Sequence, residues 1–167
     1  MTDLDQAFDA GWAAADSDSP EPTIAYFRDL LDANPEHARA VFEYASALDF
    51  AGREAEAAPV YERAFAAGLD GDLLRQGLIQ YGSTLRNLGR NKEAVAALEQ
   101  AVERFDDDAA RAFLALALLE DERPRDAVAA LLHLTLDRAE SASLSQYARA
   151  LRYYAGALVA EQPEDGR

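Results

Sequence analysis

His37 and His133 are the only histidines of the chain, and a metal site built on either one needs further ligands at helical or turn spacing. None stands there. The sequence has no His-x3-His pair, no cysteine and no cluster of histidine with carboxylates, so it predicts no metal centre, no thiolate nucleophile and no disulfide. The run Asp106-Asp107-Asp108 has the charge to hold calcium, but it lacks the glycine and the closing glutamate of a calcium loop. Acidic residues ahead of a helix instead complement its N-terminal dipole. General acid–base work by paired carboxylates needs a pocket that displaces a pKa, whereas the Asp and Glu residues here fall at polar helical positions and read as a solvated face. Ser17, Ser19, Ser141, Ser143 and Ser145 lie near helix starts, where serine caps. No nucleophile elbow, glycine-rich phosphate loop or dinucleotide fingerprint is present. These residues predict a protein that is not an enzyme and carries no cofactor, with hydrolysis by a hidden carboxylate pair as the remote alternative.

Charge narrows the partners. The formal net charge is -15, from 31 acidic against 16 basic residues, and Lys92 is the only lysine. Acidic residues are spread over every segment, so neither a nucleic-acid backbone nor an anionic membrane finds a basic patch. The beginning of the chain, Met1-Thr-Asp-Leu-Asp-Gln-Ala-Phe-Asp, lacks the basic and apolar regions of a secretory signal. No stretch approaches the ~18 uninterrupted apolar residues of a membrane span. A soluble, cytoplasmic protein is expected.

Half of the 167 residues are apolar, and alanine supplies much of that half. Alanine is the best helix former and lets neighbouring helices approach closely, so an all-α fold follows. Helix boundaries fall at the punctuation. Ser19-Pro20 and Asn34-Pro35 offer a capping side chain followed by proline at the first helical position, and Gly52, Gly68 and Gly89 close apolar-periodic runs. Helices are predicted over 3–16, 20–33, 35–51, 53–67, 72–88, 91–104, 108–121, 124–137 and 141–160. Pro59 inside the fourth is expected to kink it locally or delay its start. The tail 161–167 has no apolar residue and is expected to fray.

These helices carry a repeat. Thr23-Phe27-Leu30, Ala57-Tyr61-Ala64, Ala94-Leu98-Ala101 and Ala127-Leu131-Leu134 stand at intervals of 34, 37 and 33 residues. Thirteen residues ahead of each comes a second column, Ala10-Gly11, Tyr44-Ala45, Tyr81-Gly82 and Leu114-Ala115. The pattern resembles the tetratricopeptide repeat, whose first helix carries a large then a small residue and whose second carries small, large and small residues. Gly11, Ala45, Gly82 and Ala115 would leave room for the facing helix, and Phe27, Tyr61, Leu98 and Leu131 would fill the gap between hairpins. The resemblance covers about residues 5–138 and implies an α-solenoid of four helix hairpins in a right-handed superhelix. Repeats are expected over 2–35, 35–70, 71–107 and 108–138, followed by a capping helix over 139–160 that repeats the first-helix pattern as Leu144, Tyr147-Ala148 and Leu151. Arg111 departs from the pattern where a large apolar residue belongs, and Pro35 alone matches the proline at the repeat's end.

The resemblance implies a partner in the groove lined by the first helices. Projected onto this chain, the groove takes Phe8, Asp9 and Trp12, then Arg39, Phe42, Glu43, Ser46, Asp49 and Phe50, then Gln76, Ile79, Gln80, Ser83, Arg86 and Asn87, and continues through Phe113, Leu116, Gln146, Arg149, Arg152 and Tyr153. Trp12 is expected to face the groove and not the hairpin seam. The clamp of lysines, asparagines and arginine with which family members hold acidic chaperone tails is absent, since its places read Phe8, Trp12, Glu43, Gln76 and Gln80. A neutral or basic peptide or helix of another protein is the expected ligand. The alternative is a homo-oligomeric assembly, such as a homodimer, whose groove or terminal helix is covered by its own second copy, with Tyr147, Tyr153, Tyr154 and Leu158 at the contact.

Overall fold

Small residues let these helices approach one another, and left-handed turns reverse the chain between them. The computed structural model describes residues 2–160, and those residues form nine helices: α1 Asp3–Ala13, α2 Glu21–Ala33, α3 Ala38–Phe50, α4 Glu54–Ala66, α5 Gly71–Asn87, α6 Asn91–Phe105, α7 Asp108–Glu120, α8 Pro124–Arg138 and α9 Ala142–Ala160. The expectation for 161–167 lies outside the described residues. Each helix packs on its successor, and α5 also touches α3 and α7, so the first helices of consecutive hairpins form one layer of an all-α helical-repeat solenoid.

Apart from Leu131, both columns pack as their residue types demand. A Cβ added at Gly82 would lie 2.5 Å from Leu98 Cγ, and one at Gly11 would lie 2.6 Å from the Tyr26 ring. Phe27, Tyr61 and Leu98 are fully buried, each stabilising the stack by about 1.5–3 kcal/mol. Leu131 departs from expectation and is 45% exposed. Its helix, α8, is followed by the single helix α9, so no further second helix covers that flank among the described residues. Arg111, the other irregular position, is half-buried and pairs with Asp137 at 3.1 Å and with Asp106, tying α7 to α8 by charge.

The caps are partly redistributed. Asn34 does not start α3; its Nδ2–H donates to the Leu30 carbonyl at 2.9 Å and closes α2. His37 takes over as cap, accepting from the Ala40 N–H, so α3 begins at Ala38 and leaves Pro35 in the preceding turn. Pro20, not Ser19, occupies the cap position of α2. α1 ends at Ala13, earlier than periodicity suggested, and α4 continues through Pro59. Asp107 caps α7 by accepting from the Ala110 N–H at 2.9 Å, as the dipole argument required.

Three hairpin turns share one construction. Gly52 and Gly89 have φ of 68° and 71°, and the following Arg53 and Arg90 donate their N–H groups back to Leu48 and Leu85 at 2.9 Å. The turn between α7 and α8 repeats this with Glu122, at φ 59°, in the glycine's place, and the Arg123 N–H bonds to Leu118 at 2.8 Å. In each copy the arginine side chain then pairs with an acid three residues on, Glu56, Glu93 or Asp126.

Candidate peptide-binding groove

The layer of first helices is concave at its N-terminal half, where a groove of about 510 Å³ opens. α1 supplies Trp12. α3 supplies Arg39, Phe42, Glu43, Ser46, Asp49 and Phe50, spaced by three and four residues and therefore on one face. α5 supplies Leu73, Gln76 and Gln80 at the same spacing.

A polar network fixes the walls. The Trp12 indole N–H donates to Glu43 at 2.6 Å, and Arg39 Nε donates to the other oxygen of that carboxylate at 2.9 Å. Glu43 is 5% exposed, so these two donors hold a charge that would otherwise be costly to bury. The Arg39 guanidinium also reaches Asp5 at 2.7 Å and Asp9 at 3.3 Å, tying α3 to α1. Asp5 is held well below the usual carboxylate range, at about 2, first by the Thr2 backbone and hydroxyl that it caps and then by Arg39. Deeper in, the Ser46 and Tyr61 hydroxyls both lie within donating distance of Gln80 Oε1, at 2.8 and 2.9 Å. The buried Thr84 hydroxyl donates to Asp49 at 2.9 Å. Burial pushes the Asp49 carboxyl up, and Glu54 nearby adds repulsion.

Trp12 serves both surfaces. Its ring lies on Phe27 at the hairpin seam, with centroids 4.7 Å apart, and stands edge-on to Phe50 at 5.9 Å, so the expectation that it faces only the groove is corrected. Phe8 is fully buried in the N-terminal core beneath Arg39, whose guanidinium carbon sits 4.8 Å from the ring centroid, and it offers no surface to a ligand. Phe42 is 2% exposed and contributes only floor. Phe50, 41% exposed, is the open aromatic.

The remaining expected residues do not gather here. Ile79 is buried with Leu74, Leu78, Ala101 and Ala110, with Phe113 packed against that cluster, so both work in the core between repeats. Arg86 is paired with Glu120 at 2.6 Å and with Asn87, which itself reaches Glu54. Ser83 is half-buried outside the groove lining. Arg149 and Arg152 belong to α9, far along the chain from the groove, and Arg152 is held by Asp137 at 2.9 Å. Leu73, Thr84 and Tyr61 are the residues that sequence projection missed. Leu73 stands three residues before Gln76, so helical spacing could have found it; nothing in the sequence marked the hydroxyls of Thr84 and Tyr61 as pointing inward.

A second cleft, of about 520 Å³, lies between α4, α5 and α6, with Phe65, Leu74, Leu78 and Tyr81 as apolar wall and Glu93 and Arg104 at its rim.

The family model described as Tetratrico peptide repeat matches residues 38–158, which begins at α3 and runs nearly to the end of α9. No curated protein sequence matches the chain. Solved structures that share its fold include two chains of low identity. One is YrrB, described as a TPR protein with an unusual peptide-binding site, at 21% identity and a TM-score of 0.62, covering 87% of this chain and 79% of that one. The other is a MamA RS-1 ArsTM double mutant, at 17% identity and a TM-score of 0.64, covering 99% of each chain.

Proposed function

The chain belongs to the tetratricopeptide repeat family, and from that membership we propose that it is a non-catalytic adaptor whose groove between α1, α3 and α5 holds a peptide segment or helix of another protein. The observation that carries this reading is the groove's make-up. Trp12 and Phe50 leave aromatic surface open beside polar groups already fixed by Arg39, Glu43 and Gln80. Rigid aromatics supply contact area, and fixed polar groups orient a bound backbone. The arginine of the groove is spent on three carboxylates, which favours a neutral or basic segment over an acidic one. The net charge of -15 opposes nucleic acid and anionic lipid. No helix among the described residues is long and apolar enough to cross a membrane, and we place the adaptor in the cytoplasm. The peptide-binding site described for YrrB supports the same reading.

Selection of a random peptide library on the immobilised protein tests it. Peptides recovered on the wild type should lose about tenfold or more in affinity for a Phe50→Ser variant of unchanged helicity, since truncating a central anchor residue costs about 2 kcal/mol or more and about 1.4 kcal/mol is tenfold. Equal affinity for that variant would move the site off the groove.

A second reading, self-assembly, is favoured by α9. Tyr147, Tyr153 and Tyr154 are 58%, 73% and 62% exposed on it. Light scattering at rising concentration decides this one, and a monomer throughout would remove it.

A further inference from the structure

Charge in the groove is unequally compensated. Arg39 answers Asp5, Asp9 and Glu43 together. Asp49 lines the same groove further along α3 and forms no ion pair with any described residue; its carboxylate accepts from the neutral Thr84 hydroxyl. The charge that acts on it is Glu54, which is also negative and whose carboxylate is met by the Asn87 amide at 3.3 Å. A partly desolvated carboxylate without a cation is costly to the free protein. Beside it stand Phe50 and Trp12, whose ring faces attract cations.

Resting on the peptide-groove reading, we propose that Asp49 is the anchor for an arginine side chain of the bound segment, which stacks on the Phe50–Trp12 pair and places its guanidinium on the Asp49 carboxylate. A guanidinium fits better than an ammonium ion because its plane stacks on an aromatic ring while its fork donates two hydrogen bonds to one carboxylate. Glu54 contributes to the local field and does not touch the guanidinium. The Asp49–Thr84 bond between α3 and α5 positions the carboxylate, and the Tyr61 hydroxyl of α4 also acts on it.

The library peptides provide the test. Those that depend on Phe50 should share one arginine, and replacing it by citrulline, which keeps the shape and removes the charge, should weaken binding by about tenfold or more, as loss of a desolvated charge partner does. Lysine in its place should fall between the two. Asp49→Asn should erase the difference between the arginine and citrulline peptides while the free variant melts no lower than the wild type, which separates lost recognition from lost folding. Arginine and citrulline peptides binding alike, or groove binders without any shared basic residue, would overturn the proposal and leave the groove reading standing. Peptides indifferent to Phe50, or a library without binders, would overturn both.

Discussion

At Asp49 the cost of a charge and its use can be separated by titration. Its carboxyl is raised by burial, with the Thr84 hydroxyl of α5 opposing, Glu54 repelling from α4 and the Tyr61 hydroxyl of α4 opposing in turn. Because the folded value lies above the unfolded one, the native state holds its proton where the unfolded chain has released it, and stability falls as pH rises through that window. Asp49→Asn should therefore be more stable than wild type near neutral pH, with the gap closing as pH drops below the ordinary aspartate value of 3.8. Thermal melts across that range check it, and a variant less stable near neutrality would show that the charge supports the fold. Residue identity in the groove was only partly legible in the sequence. Phe8 and Trp12 stand four residues apart on one helix face and look equivalent; Arg39 covers the first, and only its ion pairs across to α1 decide that.

Between elements, glycine has two different jobs here, and each yields a prediction. In α5, Gly82 admits Leu98 of α6, and a methyl group would overlap its side chain. Gly82→Ala should destabilise the protein, because overpacking of about 1–3 kcal/mol exceeds the ~1 kcal/mol that alanine gains over glycine in a helix. Urea denaturation measures the difference. In the hairpin turns the need is a left-handed backbone, and Glu122 meets it at a cost that Gly52 and Gly89 avoid. Glu122→Gly should stabilise the turn between α7 and α8 by about 1 kcal/mol, read from the same denaturation curves. The glycine turns could be read from the sequence because glycine announces a left-handed residue. The third could not, since glutamate does not, although the arginine that follows and the acid three residues later repeat in all three copies. Capping failed for a related reason: Asn34 can cap the end of one helix or the start of the next, and its bond to Leu30 commits it to the first, leaving His37 to start α3 three residues later.

Over the whole molecule, four copies of two columns were enough to read a solenoid, because each small residue is matched to a large one on the facing helix. Length and stacking follow from that. The ends do not, since a terminal repeat lacks the neighbour that defines the pattern, and the exposed Leu131 on α8 and the exposed tyrosines of α9 lie there. Removing α9 should uncover the α8 face it packs against and lower the melting temperature, with aggregation in light scattering as the accompanying sign. The most direct test of the adaptor account is the map of backbone amide shifts when a selected peptide is titrated into the isotopically labelled protein. The account predicts that shifts concentrate on α1, α3 and α5 around Trp12, Ser46, Asp49, Phe50 and Gln80. Shifts confined to α9, or to the cleft between α4, α5 and α6, would contradict it.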